Sequence, residues 1–304
     1  MIFRIIRQTL VVVGLFVLFF IWTFPTERLG PKLANLIAKQ LSVILPGAPA
    51  DCDIQSLGFA LPIGVKMNAL SCRAGSPLPF LDLKNVSLRL IPFNQTASAD
   101  LGSGHVELSS NASLLSFKPS KIGVRVQKLN LEKATPLVTT FLPPQMRMFI
   151  TSDFKIFGTL DADIQAPTGQ LYKSSGLLNL TIKDLTLPRQ SILEQVGLQD
   201  LKFTSSQAKI TLTNGKLDIN NFEFLSDTFS QKASGSFQFL ENIEASTGSI
   251  DLKWQVTASD ALRNSFLGRR LLEAPCPNPD SQRFCTRRLT KFSDLQNLLS
   301  FNTF

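Results

Sequence analysis

The sequence predicts a mainly β protein: a single N-terminal transmembrane helix followed by a curved, bulged, antiparallel β-sheet, groove- or taco-like, with a few short helices. Three observations predict it. From about Ile54 to Ser259, apolar residues alternate with polar ones in stretch after stretch, which is the period of a strand with one buried face. The alternation is interrupted, again and again, by a pair of mostly polar residues. Finally, the opening MIFRIIRQTLVVVGLFVLFFIWTF carries Arg4 and Arg7, no acid, and one long apolar run.

Residues 1–25 read as an uncleaved membrane anchor. From Leu10 to Phe24 only Thr23 is clearly polar, and taken from Gln8 the run approaches the roughly 20 residues that a hydrocarbon core requires. The exit Trp22-Thr23-Phe24-Pro25-Thr26 has no small-residue cleavage pattern. Basic residues before the span place the N-terminus in the cytoplasm and the bulk of the chain on the far side. Residues 26–46, TERLGPKLANLIAKQLSVILP, follow as an amphipathic helix with Leu29, Leu33, Leu36, Ile37, Gln40 and Leu41 on or near one face. That face either lies on the bilayer or plugs the end of the domain behind it, and a packed stripe is the preferred reading. A β-rich domain then spans 47–260, and 261–304 is a basic tail holding a cysteine pair.

The interruption in the alternation has a fixed form. Apolar residues occupy positions one, three, six and eight at 65–72 (VKMNALSC), 81–88 (LDLKNVSL), 124–131 (VRVQKLNL), 180–187 (LTIKDLTL), 196–203 (VGLQDLKF) and 217–224 (LDINNFEF). A slip of one residue turns every later side chain to the other face. The middle pair is therefore either a β-bulge, which restores the face and bends the strand, or a two-residue turn. The bulge is favoured, since hairpins with arms this short are marginal. On that reading Leu180, Ile182, Leu185 and Leu187 line one apolar concavity.

One hairpin follows from its turn. Asn214-Gly215 is a type I′ signal, and pairing outward sets Thr213 opposite Lys216, Leu212 opposite Leu217 and Ile210 opposite Ile219, adding Leu212, Leu217 and Ile219 to the lining. Short helices are expected at 134–142, stopped by Pro143-Pro144, at 189–196 after Pro188, and at 261–273.

Cys52, Cys72, Cys276 and Cys285 form two sequence-local pairs in a chain read as exported, which suggests disulfides. Zinc is a poor fit, since neither pair has close two-residue spacing and the one histidine, His105, lies far from both. The net charge of +8 has no nucleic-acid motif beside it, and its C-terminal share (Arg263, Arg269, Arg270, Arg283, Arg287, Arg288, Lys291) reads as a solvated tail in preference to a lipid-surface or partner contact. Catalytic candidates are weak. His105 has no nucleophile elbow, and Ser152–Lys155 and Ser206–Lys209 have the S-x-x-K spacing without its partner motifs. Asp161 and Asp163 share a strand face, where an exposed polar surface explains them better than a metal. The reading is non-enzymatic, with no catalytic residue, cofactor or metal.

A resemblance adds a setting. The basic start, the span, PTERLGPKLANLIAKQLSVILPG, then FALPIGVKMNALSC, FLDLKNVSLRLIPF, GLLNLTIKDLTLP and NGKLDINNFEFLSDTFSQKASGSFQF resemble the N protein of bacterial type II secretion systems, GspN, and the wider AsmA-like group, over roughly residues 1–260. The resemblance implies a single-pass inner-membrane protein with a periplasmic β domain, accessory to protein secretion and in contact with other secretion-system subunits. Relatives of the AsmA type imply an alternative, an apolar groove that binds or transfers phospholipid between inner and outer membranes. The Cys276–Cys285 tail has no counterpart in the resemblance.

Overall fold

The computed structural model describes residues 26–44, 50–60, 64–74, 79–91, 94–112, 119–141, 154–167, 169–190, 193–194, 200–256 and 285–294. The expected anchor 1–25 and the expected helix 261–273 lie outside the described residues. Among the described residues no helix is long and apolar enough to cross a membrane. The chain divides into two units, 1–91 and 92–304.

The first unit begins with helix α1 (Thr26–Ile44) and continues as three antiparallel strands, β1 (Ala50–Phe59), β2 (Gly64–Ala74) and β3 (Leu81–Ile91). Helix α1 is amphipathic as expected, but its packed side is set by small residues. Ala34 and Ala38 are 4% and 8% exposed, whereas Leu36, expected on the packed side, is 58% exposed. Small side chains let the helix approach β1, and Ser42 joins the two by donating to the Ala38 carbonyl and accepting from Ala50 N–H, both at 2.8 Å.

The three strands carry the interrupted alternation at one level. Cys52, Ile54, Leu57 and Phe59 face Cys72, Leu70, Met67 and Val65, which face Leu81, Leu83, Val86 and Leu88. The β1 stretch 52–59 (CDIQSLGF) is thus a further copy of the pattern, beyond the six read from the sequence. Met67, Leu70, Cys72 and Val86 are all at or below 9% exposed, so both halves of each strand bury the same side. The Cys52–Cys72 disulfide joins directly opposed residues of β1 and β2.

The second unit holds ten strands: β4 (Asn94–Leu101), β5 (Gly104–Ala112), β6 (Pro119–Asn130), β7 (Phe157–Pro167), β8 (Gly176–Leu187), β9 (Leu201–Thr213), β10 (Lys216–Ser226), β11 (Phe229–Gln238), β12 (Thr247–Val256) and β13 (Cys285–Lys291). Each pairs antiparallel with its chain neighbours, in linear order and without closure among the described residues. Helix α2 (Leu131–Phe141) follows β6 and packs on β6 and β7; it starts three residues before the expected 134. Asn130 caps it, its Oδ1 accepting from the Glu132 N–H at 2.9 Å. Of the expected helix 189–196, Leu193 and Glu194 are helical, both N–H groups reaching the Gln190 carbonyl. The β domain does not stop at 260, since β13 extends its sheet through Arg287 and Arg288, residues assigned to a solvated tail.

The hairpin at Asn214-Gly215 has the register read from its turn, Thr213 opposite Lys216, Leu212 opposite Leu217 and Ile210 opposite Ile219. Both turn residues take positive φ, 49° and 78°. Gly215 is required there twice over, because a Cβ would also stand 2.5 Å from the Tyr172 carbonyl oxygen.

In β6, β8 and β10 the interruptions are bulges within continuous strands, not turns; in β1–β3 the three interruptions stand opposite one another with no shift of register. In β6, Gln127 and Lys128 together oppose Asp161; in β10, Asn220 and Asn221 oppose Ser234; in β8, Asp184 and Leu185 oppose Gly158. The fifth residue of the pattern is left-handed at Ser56, Asn85, Lys128 and Asp184, with φ of 51–54°. A non-glycine residue there is held against a cost of about 1–2 kcal/mol. At Lys128 the holding is visible, its N–H donating to Asp161 Oδ1 at 2.8 Å. The copy at 196–203 is described from Asp200 onward, with Leu201 buried.

If the left-handed residue sets the bulge, the β-branched Asp184→Val should lower unfolding free energy by about 1–3 kcal/mol, whereas Asp184→Gly should leave it unchanged or raise it by up to about 1 kcal/mol. Urea melts of the two variants give the comparison, and equal losses would disprove it.

Candidate functional site

The ten strands of the second unit place apolar residues of separate sequence stretches in unbroken rows. One row runs Ala99, Val106, Val126, Ala162, Leu180, Ala208, Phe222, Ala233 and Leu252, ending at Arg287 on β13. The neighbouring row runs Ala97, Leu108, Val124, Ile164, Leu178, Ile210, Ile219, Gly235, Ile250 and Leu289. Ten strands spaced at about 4.8 Å make these rows about 43 Å long.

The bulges are what keep the rows apolar. Val126 and Leu129 differ in parity, yet they oppose Ala162 and Leu160, which share a face, so both lie on it. Ile219 and Phe222 oppose Gly235 and Ala233 in the same way. In β8, Lys183 and Thr186 oppose Thr159 and Phe157, which puts Leu180, Ile182, Leu185 and Leu187 together on the apolar side. Leu185 is 8% exposed and the other three are half-buried.

Full burial is confined to parts of this face. At one strand end of β9–β13, Phe237, Phe239, Ile250 and Leu289 form a closed cluster, with Tyr172, Leu212, Leu217, Ile219 and Phe292 packed against it. Three of the residues proposed as lining, Leu212, Leu217 and Ile219, belong to this cluster. Toward the opposite strand end, Leu129 and Ala134 are buried where α2 follows β6. Between them, Val106, Val124, Val126, Ile164, Leu178, Phe222, Phe224, Leu252 and Trp254 are only half-buried, while Leu108 and Ile122 are 46% and 40% exposed. No second layer covers these rows among the described residues.

The other face is polar and locked by cross-strand pairs. Glu107, Arg125, Asp163, Asn179 and Lys209 stand in one row. Arg288 Nε and Nη2 donate to the two Asp251 oxygens at 2.7 and 3.2 Å, and the guanidinium holds that carboxyl below its ordinary range while Asp251 in turn raises Arg288. Ser205 and then Gln207 do the same for Glu223, both donating to Oε1 at 2.7 Å. The Thr290 and Lys291 N–H groups, at 2.9 and 3.0 Å, lower Asp294.

The chemical candidates are dispersed over this polar face. His105 Nδ1 lies 2.7 Å from Asp100 Oδ1 at the rim of a polar depression of about 650 Å³ that also includes Lys128 and Asp161. Asp161 and Asp163 face cations, Lys183 at 3.9 Å and Arg125 at 3.8 Å. Ser206 and Lys209, three apart in an extended strand, point to opposite faces. Ser206 is buried on the apolar side with its hydroxyl unpartnered; Lys209 is exposed on the other. Ser152 lies outside the described residues. Cys285 is disulfide-bonded, and its partner, like Cys276, lies outside them. Arg287 was not anticipated on the apolar face; the alternation of Ile250, Leu252 and Trp254 is legible in the sequence, but not the strand that pairs with them.

Compared with protein-family models, with curated proteins and with solved structures, the chain matches none. The face itself is therefore the basis for function. Its half-buried middle is the feature of the second unit that its own packing does not account for.

Two outcomes follow. The carboxyls of Glu223, Asp251 and Asp294 are lowered in the folded state, so they stabilise it above the ordinary carboxylate range and that contribution disappears as pH falls from about 4 through their depressed values. Thermal melts across that window should show Asp251→Asn and Glu223→Gln flattening the acid side of the profile; an unchanged slope would refute the pairing. Leu185→Asp, placing an unpaired carboxylate at a buried position, should cost about 2–5 kcal/mol, whereas Asp184→Asn beside it should cost under about 1 kcal/mol.

Proposed function

We propose that this chain is a membrane-anchored, non-enzymatic protein that binds phospholipid acyl chains on the apolar face of the strands of its second unit, for holding lipid or passing it between membranes. The observation that carries the reading is the pair of rows across ten strands, half-buried in their middle, with no covering layer among the described residues. A face about 43 Å long exceeds the roughly 15 Å that one acyl chain occupies in half a hydrocarbon core, so chains can lie along it in succession. The setting is the inner membrane, with residues 1–25 as a single-pass anchor, the N-terminus cytoplasmic and the remainder periplasmic; exported disulfides suit it.

A second reading, an accessory subunit of a type II secretion system, draws on the resemblance to GspN. One feature favours it: among the described residues β13 pairs on one side only, leaving an edge to which a partner strand can add.

A photocrosslinking residue at Ile182, with one at Thr181 on the polar face as control, decides between them in membranes. Lipid adducts at Ile182 and not at Thr181 are expected. Adducts to protein alone, or none at either site, would overturn the lipid reading.

A further inference from the structure

The outer side of α1 carries a surface that neither fold nor groove uses. Lys32, Leu36, Lys39 and Val43 recur at intervals of four, three and four, so they form one stripe along the helix. All four are exposed, Leu36 at 58% and Val43 at 79%, and they lie opposite the buried Gly30, Ala34 and Ala38. Two large apolar side chains held open to solvent by a helix whose other side is already packed are unusual. Two ammonium groups interleaved with them define the partner's chemistry: apolar to the depth of a side chain, and anionic at its surface.

We propose that this stripe docks on a bilayer containing anionic phospholipid, Leu36 and Val43 entering the headgroup–acyl boundary while Lys32 and Lys39 reach phosphates beside them. Continuity supports the occupant. The helix begins at Thr26, immediately after the apolar run ending at Phe24, and so starts where that run would leave the membrane. The inference rests on residues 1–25 as an anchor. With its inner side on β1 and its outer side on lipid, α1 would hold the first unit against the surface instead of letting it swing from a single tether.

The test uses the full chain in nanodiscs of phosphatidylethanolamine with phosphatidylglycerol. A thiol-reactive environment-sensitive fluorophore is placed at Leu36→Cys, at Val43→Cys and, as a solvent control, at Glu241→Cys; the described cysteines are disulfide-bonded and do not compete. Emission at 36 and 43 should shift to the blue and be quenched by lipids carrying a nitroxide about 5–10 Å below the interface, with the control unaffected. Lys32→Gln with Lys39→Gln should remove most of that quenching, as should discs of zwitterionic lipid alone. A chain that inserts into discs yet leaves both positions unquenched overturns this inference and spares the anchor. Blue-shifted but unquenched emission replaces lipid with a protein partner. A chain that fails to enter discs sinks both readings.

Discussion

A single left-handed residue inside a strand decides which side of the sheet the rest of that strand presents. Because strand side chains alternate, one extra residue would otherwise send every later apolar group into water. In the second unit a bulge absorbs that residue: Gln127 with the left-handed Lys128 in β6, the left-handed Asp184 with Leu185 in β8, and Asn220 with Asn221, without positive φ, in β10. Both the apolar rows and the polar face behind them depend on this. The Asp161 carboxylate, taking the Lys128 N–H, couples one such bulge to the neighbouring strand.

Bulges also bend and twist the strands they occupy. The bulges of β6, β8 and β10 fall at different levels of the sheet, and the Leu, Ile, Val and Phe residues they keep on one side are largely half-buried. The closed cluster around Phe237 and Leu289 is different in kind. It is filled by its own aromatic rings, Phe237 and Phe239 lying 5.4 Å apart, and it serves stability at one strand end. The face thus divides into a packed part, which includes Leu212, Leu217 and Ile219, and an open part, which includes Leu180 and Ile182. The proposed lipid contact would fall on the open part.

Much was legible before any coordinates because the signals are local. Period-two alternation, the Asn-Gly turn and the 1-3-6-8 spacing all depend on residues within one strand or hairpin, so β-class, the 213–216 register and the bulges could be read directly. The same locality explains the failures. The β1 copy of the pattern, with Cys52 at its first position, emerges only from its pairing with β2. Leu36 was placed on the packed side of α1 by hydrophobicity alone, although close approach to β1 favours Ala34 and Ala38.

By itself the sequence determined the alternation, the places where it slips and the turn chemistry, since each follows from backbone geometry and short-range sterics. Only the tertiary structure decided where the slips fall relative to one another, that Val126, Ala162, Leu180 and Phe222 meet in one row, and that β13 recruits part of a supposed tail. Strand pairing is set by which edges find each other across long loops. A residue such as Arg287 reads as solvated charge in isolation and becomes the end of an apolar row once it stands opposite Leu252.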